Sequence, residues 1–560
     1  MDILLTKIKG HDRKGVIGCI EVKKGDSVKS GDTLLTIETS KSAVDITSEY
    51  DGTITEILVE AGQEVSIGDK LFTVDGKKAE AKKAAYSFGL AKAKVETLDV
   101  DLVVIGAGPG GYEAAISAAK EGLDTVIIER EKLGGTCLNW GCIPTKAFVK
   151  SASLFSEMKK SEEFGIFSSN LSVDMKKVLE RKNSIVETLG GGIEYLLSSN
   201  KVRTVMGEAK IESANCIKVK NKKEDLTINT KNLILAMGSQ AMKINIPGSN
   251  LDGVLTNKEL LDIEEIPESL TIIGGGVIGM EFAFVFSSFG TKVTIVEFLD
   301  EIINIIDDDV REVIYNEAIE KGITIYTSSR ADEIIKTEDD KLITKFVKND
   351  ESRFVVSEKV LMCVGRVANL EGVDWEKLGI DLNERKNAVK VNDKMETSAE
   401  NVYAIGDLNG RMQLAHVASH QGFTAVKNIL GESHEMKYNN VPSAIFTIPE
   451  IAVTGYSEKE AKNLGVEIAI GKFNFAGNGK ALTAGEPEGF VKIIYDKTSD
   501  KAIGGSIIGP HASDLISIIT NMIENGTSQK DASEVIYAHP TTAEAVHEGI
   551  LDIYGKAIHK

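Results

Sequence analysis

The 560-residue sequence predicts a multidomain α/β protein that carries a small all-β domain at its N-terminus. Three observations lead to this prediction. A short repeat rich in strand-forming residues fills the first part of the chain, and a longer repeat of strand, glycine loop and helix occurs twice beyond it. The length alone corresponds to three to five domains at roughly 150 residues each. Hydrophobic residues make up 42% and charged residues 27% of the chain, which is typical of folded domains.

The charge balance and the apolar runs exclude several classes of protein. Lys and Arg number 65 against 84 Asp and Glu, so the net charge is −19 and we expect no nucleic acid partner. No run approaches the ~18 apolar residues of a membrane span, and we expect no signal peptide. Five cysteines are too few for a disulfide scaffold, so we expect a cytoplasmic protein whose thiols stay reduced unless a pair has a redox role.

The first repeat relates residues 15–37 to residues 52–74 at an offset of 37. The turn glycines Gly25 and Gly31 correspond to Gly62 and Gly68, and the apolar positions keep the same spacing. Each copy is expected to form short strands joined by glycine turns. Because a single short hairpin is unstable by itself, the two copies are predicted to share one core in a two-fold β-barrel.

Lys41 lies between the two copies, at the tip of a predicted hairpin formed by Ser40-Lys41-Ser42. A symmetric barrel that presents one central lysine resembles a lipoyl domain, here residues 1–76. Biotinyl domains share the fold but usually flank their lysine with methionines, so the resemblance favours a covalent lipoyl group on Lys41. The Ala- and Lys-rich residues 77–96 are predicted to be a flexible linker, with a short amphipathic helix as the alternative.

The second repeat is the fingerprint of a Rossmann fold in its required context. The strand at 100–106 enters a loop with Gly106, Gly108 and Gly111, a helix follows, and the next strand ends at Glu129. The unit recurs 168 residues later with Gly274, Gly276, Gly279 and Glu297. Such glycines let the backbone approach a pyrophosphate at a helix N-terminus, and the acid accepts hydrogen bonds from ribose hydroxyls. The sequence therefore predicts two dinucleotide sites.

Cys137 and Cys142 follow the first Rossmann unit, five residues apart, at the start of a predicted helix. A helix N-terminus favours the thiolate, which is the form that exchanges with disulfides. A metal site is excluded because no cluster of further His or Cys ligands accompanies the pair. Two unrelated buried thiols remain the alternative at this point.

Several motifs in this order are similar to those of the pyridine nucleotide–disulfide oxidoreductases, and especially of the branch that oxidises dihydrolipoamide. The resemblance covers residues 99–560 and rests on GGTCLNWGCIPTK, LAMGSQ, VYAIGDL and AHPTTAEAVHEG. Two departures are Trp140, where a smaller apolar residue is usual, and Gln421, where a glutamate is common. By this likeness Cys137 and Cys142 form a redox-active disulfide.

The resemblance implies FAD on the first Rossmann unit and NAD on the second. It assigns FAD to Gly106, Gly108, Gly111, Glu129, Gly135, Thr136, Lys146, Ala209, Gly238, Ser239, Asp407 and Ala415. It assigns NAD to Gly274, Gly276, Gly279, Glu281, Glu297 and Gly365. Glu297 favours NAD over NADP because a carboxylate repels the 2′-phosphate. Glu281 is also expected to pair with Lys146 beside the flavin.

His539 and Glu544 stand in the C-terminal motif, where the resemblance implies a general base and the acid that orients it. In the family this histidine comes from the partner subunit, so a homodimer is expected. The predicted domains after the linker are 97–244 for FAD (first part), 245–370 for NAD, 371–440 for the central part of the FAD domain, and 441–560 for the interface.

The expected function is NAD-dependent oxidation of protein-bound dihydrolipoyl groups, as the E3 component of a 2-oxoacid dehydrogenase or glycine-cleavage type complex. The partners would be lipoylated E2 or H-protein-like carriers, and the N-terminal domain a swinging carrier. Three alternatives stay open: reduction of glutathione or mercuric ion, a role chiefly as lipoyl carrier and scaffold, and a flavoprotein without thiol chemistry such as a transhydrogenase. The last would lack the cysteine pair.

Overall fold

The computed structural model describes residues 1–5, 14–38, 43–48, 50–78, 94–221 and 224–560. The chain divides into two compact units, residues 1–92 and 93–560, which are called the barrel unit and the large unit below. Lys41 and residues 79–93 of the predicted linker lie outside the described residues. The last two residues of β8 and the first three of β9, defined below, are strand residues, so the described part of the predicted 77–96 linker is not coil.

The described part of the barrel unit consists of two four-stranded sheets, ordered β1-β8-β6-β3 and β5-β4-β2-β7. Its strands are β1 (Asp2–Leu4), β2 (Lys14–Ile20), β3 (Ser27–Val28), β4 (Thr33–Glu38), β5 (Ala43–Thr47), β6 (Tyr50–Ile57), β7 (Glu64–Ser66) and β8 (Lys70–Lys78). The pairs β2/β6, β3/β7 and β4/β8 are related by the 37-residue offset. One sheet order therefore maps onto the other, as expected for a two-fold barrel.

Hydrogen bonds between the two copies repeat the symmetry. Gly25 donates its N–H to the Ile54 carbonyl at 2.8 Å, and Gly62 donates to the Ile17 carbonyl at 2.7 Å. All four turn glycines have left-handed φ values, between +86° and +105°. The aligned apolar positions are buried in one core: Ile17, Val28, Leu34, Ile37, Ile54, Val65, Leu71 and Val74. The prediction of two copies around a shared core is confirmed.

The large unit begins with the first Rossmann region, whose described sheet has the order β11-β10-β9-β14-β13-β12. Its elements are β9 (Lys94–Ile105), α1 (Pro109–Lys120), β10 (Thr125–Glu129), α2 (Gly135–Trp140), α3 (Cys142–Lys159), α4 (Met175–Ser199), β11 (Arg203–Met206), β12 (Ala209–Ser213), β13 (Cys216–Lys220), β14 (Glu224–Leu235) and β15 (Ser239–Ala241). The apolar strand that precedes Gly106 is buried, as its unbroken run of Leu, Val and Ile predicts.

The second Rossmann region has the parallel sheet order β16-β23-β17-β18-β19, with β20, β21 and β22 forming a separate antiparallel sheet. Its elements are β16 (Val254–Leu255), α5 (Asn257–Leu260), β17 (Ser269–Ile273), α6 (Val277–Phe289), β18 (Lys292–Val296), α7 (Asp308–Glu320), β19 (Thr324–Tyr326), β20 (Ser329–Lys336), β21 (Leu342–Lys348), β22 (Glu351–Ser357), β23 (Lys359–Met362) and β24 (Arg366–Ala368).

The C-terminal part first returns to the first Rossmann sheet, where β25 pairs with β14, and then forms an antiparallel sheet of order β26-β27-β30-β29-β28. Its elements are β25 (Val402–Ala404), α8 (Ala415–Ile429), β26 (Ser443–Ile445), β27 (Glu450–Gly455), α9 (Glu458–Asn463), β28 (Ile468–Asn474), α10 (Gly479–Ala484), β29 (Phe490–Asp496), β30 (Lys501–Gly509), α11 (Ala512–Glu524), α12 (Gln529–Ser533) and α13 (Glu544–Asp552). None of the helices in the described part of the chain combines the length and apolarity needed to cross a membrane.

A buried lysine joins the second Rossmann region to the C-terminal sheet. Lys492 on β29 is fully buried, and its Nζ lies 2.7 Å from Asp307, 2.7 Å from Asp309 and 2.9 Å from Glu458. Burial alone would lower the pKa of Lys492, but the three carboxylates outweigh it and raise the pKa. The ammonium is therefore a charged crosslink between two parts of the fold.

Candidate active site

The first glycine loop leaves space for a phosphate group at the start of α1. Gly106 has a φ of +103°, and a Cβ on Gly111 would lie 1.9 Å from the Gly106 carbonyl oxygen, so both positions require glycine. A Cβ on Gly108, the residue that caps α1, would meet nothing within 4 Å. Glu129 ends β10 and accepts a hydrogen bond from the Ala107 N–H at 2.8 Å. Open space, free helix N–H groups and a terminal acid fit a dinucleotide such as FAD.

The second glycine loop has the same geometry at the start of α6. Gly274 has a φ of +109°, and a Cβ on Gly279 would lie 2.0 Å from the Gly274 oxygen. Gly276 caps α6 and faces open space. The Glu297 carboxylate accepts hydrogen bonds from the N–H groups of Gly275 at 2.5 Å and Leu299 at 2.7 Å. The residues predicted for NAD thus form a second loop of the same kind.

Asp407 and Ser239 meet in the large unit, although 168 residues separate them. The Ser239 hydroxyl donates to the Asp407 carboxylate, and Gly238 just before it has a φ of +66°. Arg366 on β24 completes the group: its Nε donates to the Ser239 hydroxyl at 2.7 Å and lies 3.7 Å from the Asp407 carboxylate. Its Nη2 also donates to the Thr136 hydroxyl at 3.4 Å.

Sequence reasoning missed Arg366. The available signal was its place directly after Gly365, a turn glycine with a φ of +118° between β23 and β24. Burial lowers the pKa of Arg366, although Asp407 and Cys142 oppose this effect. A largely buried cation among three predicted FAD residues is suited to an anionic ligand.

The remaining predicted cofactor residues take separate places in the fold. Ala209 begins β12 and Ala415 begins α8. Gln421, on the same helix as Ala415, is fully buried; its carbonyl oxygen accepts from the Gly406 N–H at 2.6 Å and its amide donates to the Tyr438 hydroxyl at 2.9 Å. The neutral Gln421 amide thus has a hydrogen-bond partner for both its oxygen and its nitrogen.

The two cysteines are brought together by a break between helices. Cys137 lies in α2 and Cys142 is the first residue of α3, which has 18 residues. Their thiols lie close enough that each shifts the pKa of the other. A Cβ on Gly135, the first residue of α2, would lie 2.8 Å from the Gly108 Cα, so the helix that carries Cys137 begins against the first glycine loop. The predicted redox pair is therefore adjacent to the predicted FAD loop.

The two thiols have opposite electrostatic character. The hydrogen bond from Cys137 is the main cause that lowers the pKa of Cys142 to about 7; burial opposes it and the Lys146 ammonium assists it. The same hydrogen bond, with burial, raises the pKa of Cys137. One sulfur is thus prepared as a thiolate near neutral pH while the other keeps its proton, which suits a dithiol that takes part in disulfide exchange.

Lys146 and Glu281 form the expected ion pair, with Nζ at 2.9 and 3.1 Å from the two carboxylate oxygens. The Glu281 side chain is only 5% exposed, and it also accepts the Phe446 N–H at 2.9 Å. The ammonium lies 4.2 Å from the centroid of the Phe446 ring. The pair joins α3 to α6 one turn beyond Cys142. Since Glu281 bonds Lys146 here, its position fits the ion pair more directly than an NAD contact.

His539 is oriented by Glu544 at the surface of the chain. Its Nδ1 lies 2.9 Å from the Glu544 carboxylate, whose other oxygen accepts the Thr541 N–H at 2.8 Å. That backbone hydrogen bond is the main cause that lowers the pKa of Glu544. The His539 side chain is 80% exposed. An oriented imidazole on the surface is available to a second molecule.

Family comparisons cover most of the chain. A model described as pyridine nucleotide–disulphide oxidoreductase matches residues 100–422, and one for the dimerisation domain of such proteins matches 441–550. A model described as biotin-requiring enzyme matches residues 10–74.

The curated relatives agree with the family matches. The dihydrolipoyl dehydrogenase of Bacillus subtilis is 38% identical over 475 residues, with 82% of this chain and 99% of that protein covered. The dihydrolipoyl dehydrogenase of Haloferax volcanii is 37% identical over 465 residues, with 82% and 97% covered.

Two solved structures have the same fold over most of this chain. LpdA from Mycobacterium tuberculosis has a TM-score of 0.75 at 26% identity, covering 80% of this chain and 99% of that one. The flavoprotein disulfide reductase RclA from Escherichia coli, in its Cu(II) complex, has a TM-score of 0.73 at 25% identity, covering 81% and 99%.

Proposed function

Since this chain belongs to the pyridine nucleotide–disulphide oxidoreductase family and has dihydrolipoyl dehydrogenases as relatives, we propose that it oxidises protein-bound dihydrolipoyl groups with NAD⁺. It is an FAD-dependent enzyme that carries its own lipoyl-type domain. The observation that supports the reaction most directly is the pair Cys137 and Cys142, in which the pKa of one thiol is lowered to about 7 beside the first glycine loop.

Each predicted cofactor has a set of residues that fits it. The loop around Gly108, the acid Glu129 and the group of Ser239, Arg366 and Asp407 would hold FAD; the loop around Gly276 and Glu297 would hold NAD. When bound, FAD accepts the two electrons of the dithiol and passes them to NAD⁺ as a hydride. The protein's own part is to bind the two nucleotides and to orient the reacting sulfurs.

The sulfur chemistry is assigned by the different character of the two thiols. A dihydrolipoyl thiolate attacks Cys137 in the oxidised pair, so the Cys137–Cys142 bond breaks and Cys142 leaves as a thiolate. The second dihydrolipoyl sulfur then attacks the lipoyl sulfur that is bonded to Cys137, so the lipoyl disulfide forms and Cys137 leaves as a thiolate. The electron pair then resides on the enzyme's dithiol. The lowered pKa makes Cys142 the better leaving group.

His539 would accept the protons of the dihydrolipoyl thiols, with Glu544 holding its Nδ1 so that Nε2 is free to act as the base. Because His539 lies on the surface of its own chain, it would act in the active site of a partner subunit. The match to a dimerisation domain supports this arrangement, and we propose a homodimer as the active form.

The N-terminal domain would carry a lipoyl group on Lys41, between two barrel copies whose strand pairs β2/β6, β3/β7 and β4/β8 repeat at the 37-residue offset. We propose lipoylated E2 or H-protein-like carriers as partners, within a 2-oxoacid dehydrogenase or glycine-cleavage type complex. We also propose a cytoplasmic location, because a dithiol that cycles with lipoyl groups needs a compartment in which free thiols persist.

The test is Cys142→Ser, with Cys216→Ser as the matched control in the strand β13 of the same region. NAD⁺-linked oxidation of free dihydrolipoamide should be abolished in Cys142→Ser while FAD stays bound, because FAD binding depends on the glycine loop and Asp407. The control should keep both. Turnover of Cys142→Ser above a few per cent of wild type would contradict the disulfide mechanism. Intact-mass measurement of the wild type and of Lys41→Ala tests the lipoyl site in the same preparation.

A further inference from the structure

The short helix α5 of the second Rossmann region reaches the loop that joins the two cysteines. Asn257, its first residue, is only 9% exposed, and its side-chain amide donates to the Trp140 carbonyl at 2.6 Å. Trp140 is the last residue of α2, and only Gly141 separates it from Cys142. One side chain from the nucleotide region thus bonds the chain midway between Cys137 and Cys142.

The position of this bond matters because α2 ends there. The last carbonyls of a helix have no partner within the helix, and a buried carbonyl left without one costs about 1–3 kcal/mol. The Trp140 carbonyl belongs to the peptide bond that leads into Gly141. The orientation of this peptide plane determines the path of the chain from α2 to α3, and therefore the position of Cys142 relative to Cys137. A donor at this carbonyl can therefore fix the separation of the two sulfurs.

The donor itself is held rigidly. Thr256 caps α5, with Glu259 completing a capping box, and both Thr256 and the helix residue Leu260 are buried. Lys258, the next residue on α5, lies 4.0 Å from the Trp140 ring centroid and 2.5 Å from Glu131. Lys258 and Glu131 are each half exposed, so their contacts contribute little. The amide of Asn257 is the buried, directional contact.

We propose that Asn257 is a positioning residue for the dithiol, and that its amide holds the Trp140–Gly141 turn so that the sulfurs of Cys137 and Cys142 meet. The inference rests on the proposed function, because it assigns Asn257 a part in the same redox centre. It makes the sulfur geometry depend on a residue from the nucleotide region, which lies 115 positions beyond Cys142 in the sequence.

The charged and titratable groups that act on Cys142 come from α3 itself and from three other elements. They are Cys137 on α2, Lys146 on α3, Glu281 on α6 and Arg366 on β24. A neutral substitution of Asn257 changes none of these groups. A shift in the titration of Cys142 in such a variant therefore reports a changed arrangement of these groups around its sulfur, among which Cys137 has the largest effect on the pKa.

The experiment uses the FAD-loaded, two-electron-reduced enzyme with Asn257→Leu, which keeps a similar volume and removes the donor. The thiolate of Cys142 is followed against pH by its charge-transfer absorbance with the flavin and by the rate of alkylation with iodoacetamide, read from peptide mass. In the wild type the midpoint should lie near pH 7. In Asn257→Leu it should rise, and a rise of one unit lowers the thiolate fraction at pH 7 roughly fivefold.

Three comparisons make the outcome decisive. Asn257→Ser, whose hydroxyl can still donate, should recover part of the shift, and Lys258→Met should titrate as the wild type does. A midpoint for Asn257→Leu equal to that of the wild type overturns the proposal, as does an equal shift in Lys258→Met. If Asn257→Leu does not bind FAD, the same comparison is made between Asn257→Ser and the wild type by alkylation. Absence of a thiolate titration in the wild type would instead contradict the proposed function.

Discussion

The two Rossmann regions use the same glycine loop beneath helices of very different composition. Glu129 accepts the Ala107 N–H, and Glu297 accepts the Gly275 N–H, 168 residues later. The helix of the first region buries alanines, and a Cβ on Gly110 would lie 2.7 Å from the Ala418 carbonyl on α8. The helix of the second region buries phenylalanines instead: Phe282, Phe284, Phe286 and Phe289.

This difference shows that the residues of the glycine loop and the residues of the helix that follows it are constrained by different things. The loop is fixed by backbone geometry, so its glycines and its acid recur at the same spacing. The helix is fixed by what covers it: α8 packs so closely on α1 that only small residues fit, whereas α6 fills a wide core and sends Glu281 to Lys146 on α3. The glycine loops therefore indicate which ligand the protein binds. The size of the buried residues on α1 and α6 indicates how closely neighbouring elements pack on each helix.

The largest expected effect tests whether the two loops hold different cofactors. In Gly111→Ala the new Cβ would lie 1.9 Å from the Gly106 oxygen, and we expect protein without flavin and without any activity. In Gly279→Ala the clash is similar, at 2.0 Å from the Gly274 oxygen. That variant should still bind FAD and be reduced by dihydrolipoamide, but should fail to reduce NAD⁺. Flavin absorbance and anaerobic reduction distinguish the two results.

The matched control is Gly479→Ala at the start of α10, where a Cβ meets nothing within 4 Å. It should keep flavin and full activity. Loss of flavin from Gly279→Ala with retention in Gly111→Ala would reverse the assignment of the two loops.

An intermediate effect is expected from Glu129, which ends β10, and Glu297, which directly follows β18. Glu297→Arg should shift preference from NADH towards NADPH by about 1–3 kcal/mol, because it removes a repulsive charge and adds a partner for the 2′-phosphate. The ratio of kcat/KM for the two nucleotides measures it. Glu129→Arg should instead weaken FAD binding without changing that ratio. Equal use of NADP and NAD by the wild type would show that Glu297 does not discriminate.

The smallest effect concerns the ion pair by which Glu281 on α6 contacts Lys146 on α3, one turn beyond Cys142. Lys146→Met removes a cation that lowers the pKa of Cys142, so the pKa should rise above about 7. Since the thiolate exists above the pKa, the thiolate fraction at pH 7 should fall and the acid limb of the pH–activity profile should move to higher pH. Lys150→Met, one turn further along α3, is the control and should leave the profile in place. An unchanged profile in Lys146→Met would mean that the ion pair serves structure alone.

The sequence was sufficient for features that repeat or that depend on local backbone geometry. The 37-residue offset predicted the two copies of the barrel, since Gly25 and Gly62 must both adopt left-handed φ. The 168-residue offset predicted the two loops for the same reason. Arg366 and Asn257 were not found, because each acts through a contact made far along the chain, with Ser239 and Trp140 respectively. Such contacts have no periodicity to detect.

The roles of the predicted site residues stay predictions, although the structure places several of them together. Cys137 with Cys142 and Lys146 with Glu281 were predicted as pairs from motif likeness, and both pairs are in contact. The interaction of His539 with Glu544 was also expected and lies at 2.9 Å. Lys41 lies outside the described residues, so its modification depends on the mass measurement.

The buried ammonium of Lys492 limits how this protein can be recombined with its relatives. Its partners Asp307 and Asp309 come from the second Rossmann region, while Glu458 comes from the C-terminal part. A chimera that exchanged one part alone could leave a buried charge without its counterions, at a cost of about 3–5 kcal/mol. We therefore expect a chimera to fold stably only when Lys492 and its three carboxylate partners come from the same parent protein. The second Rossmann region and the C-terminal sheet would then have to be exchanged as one segment.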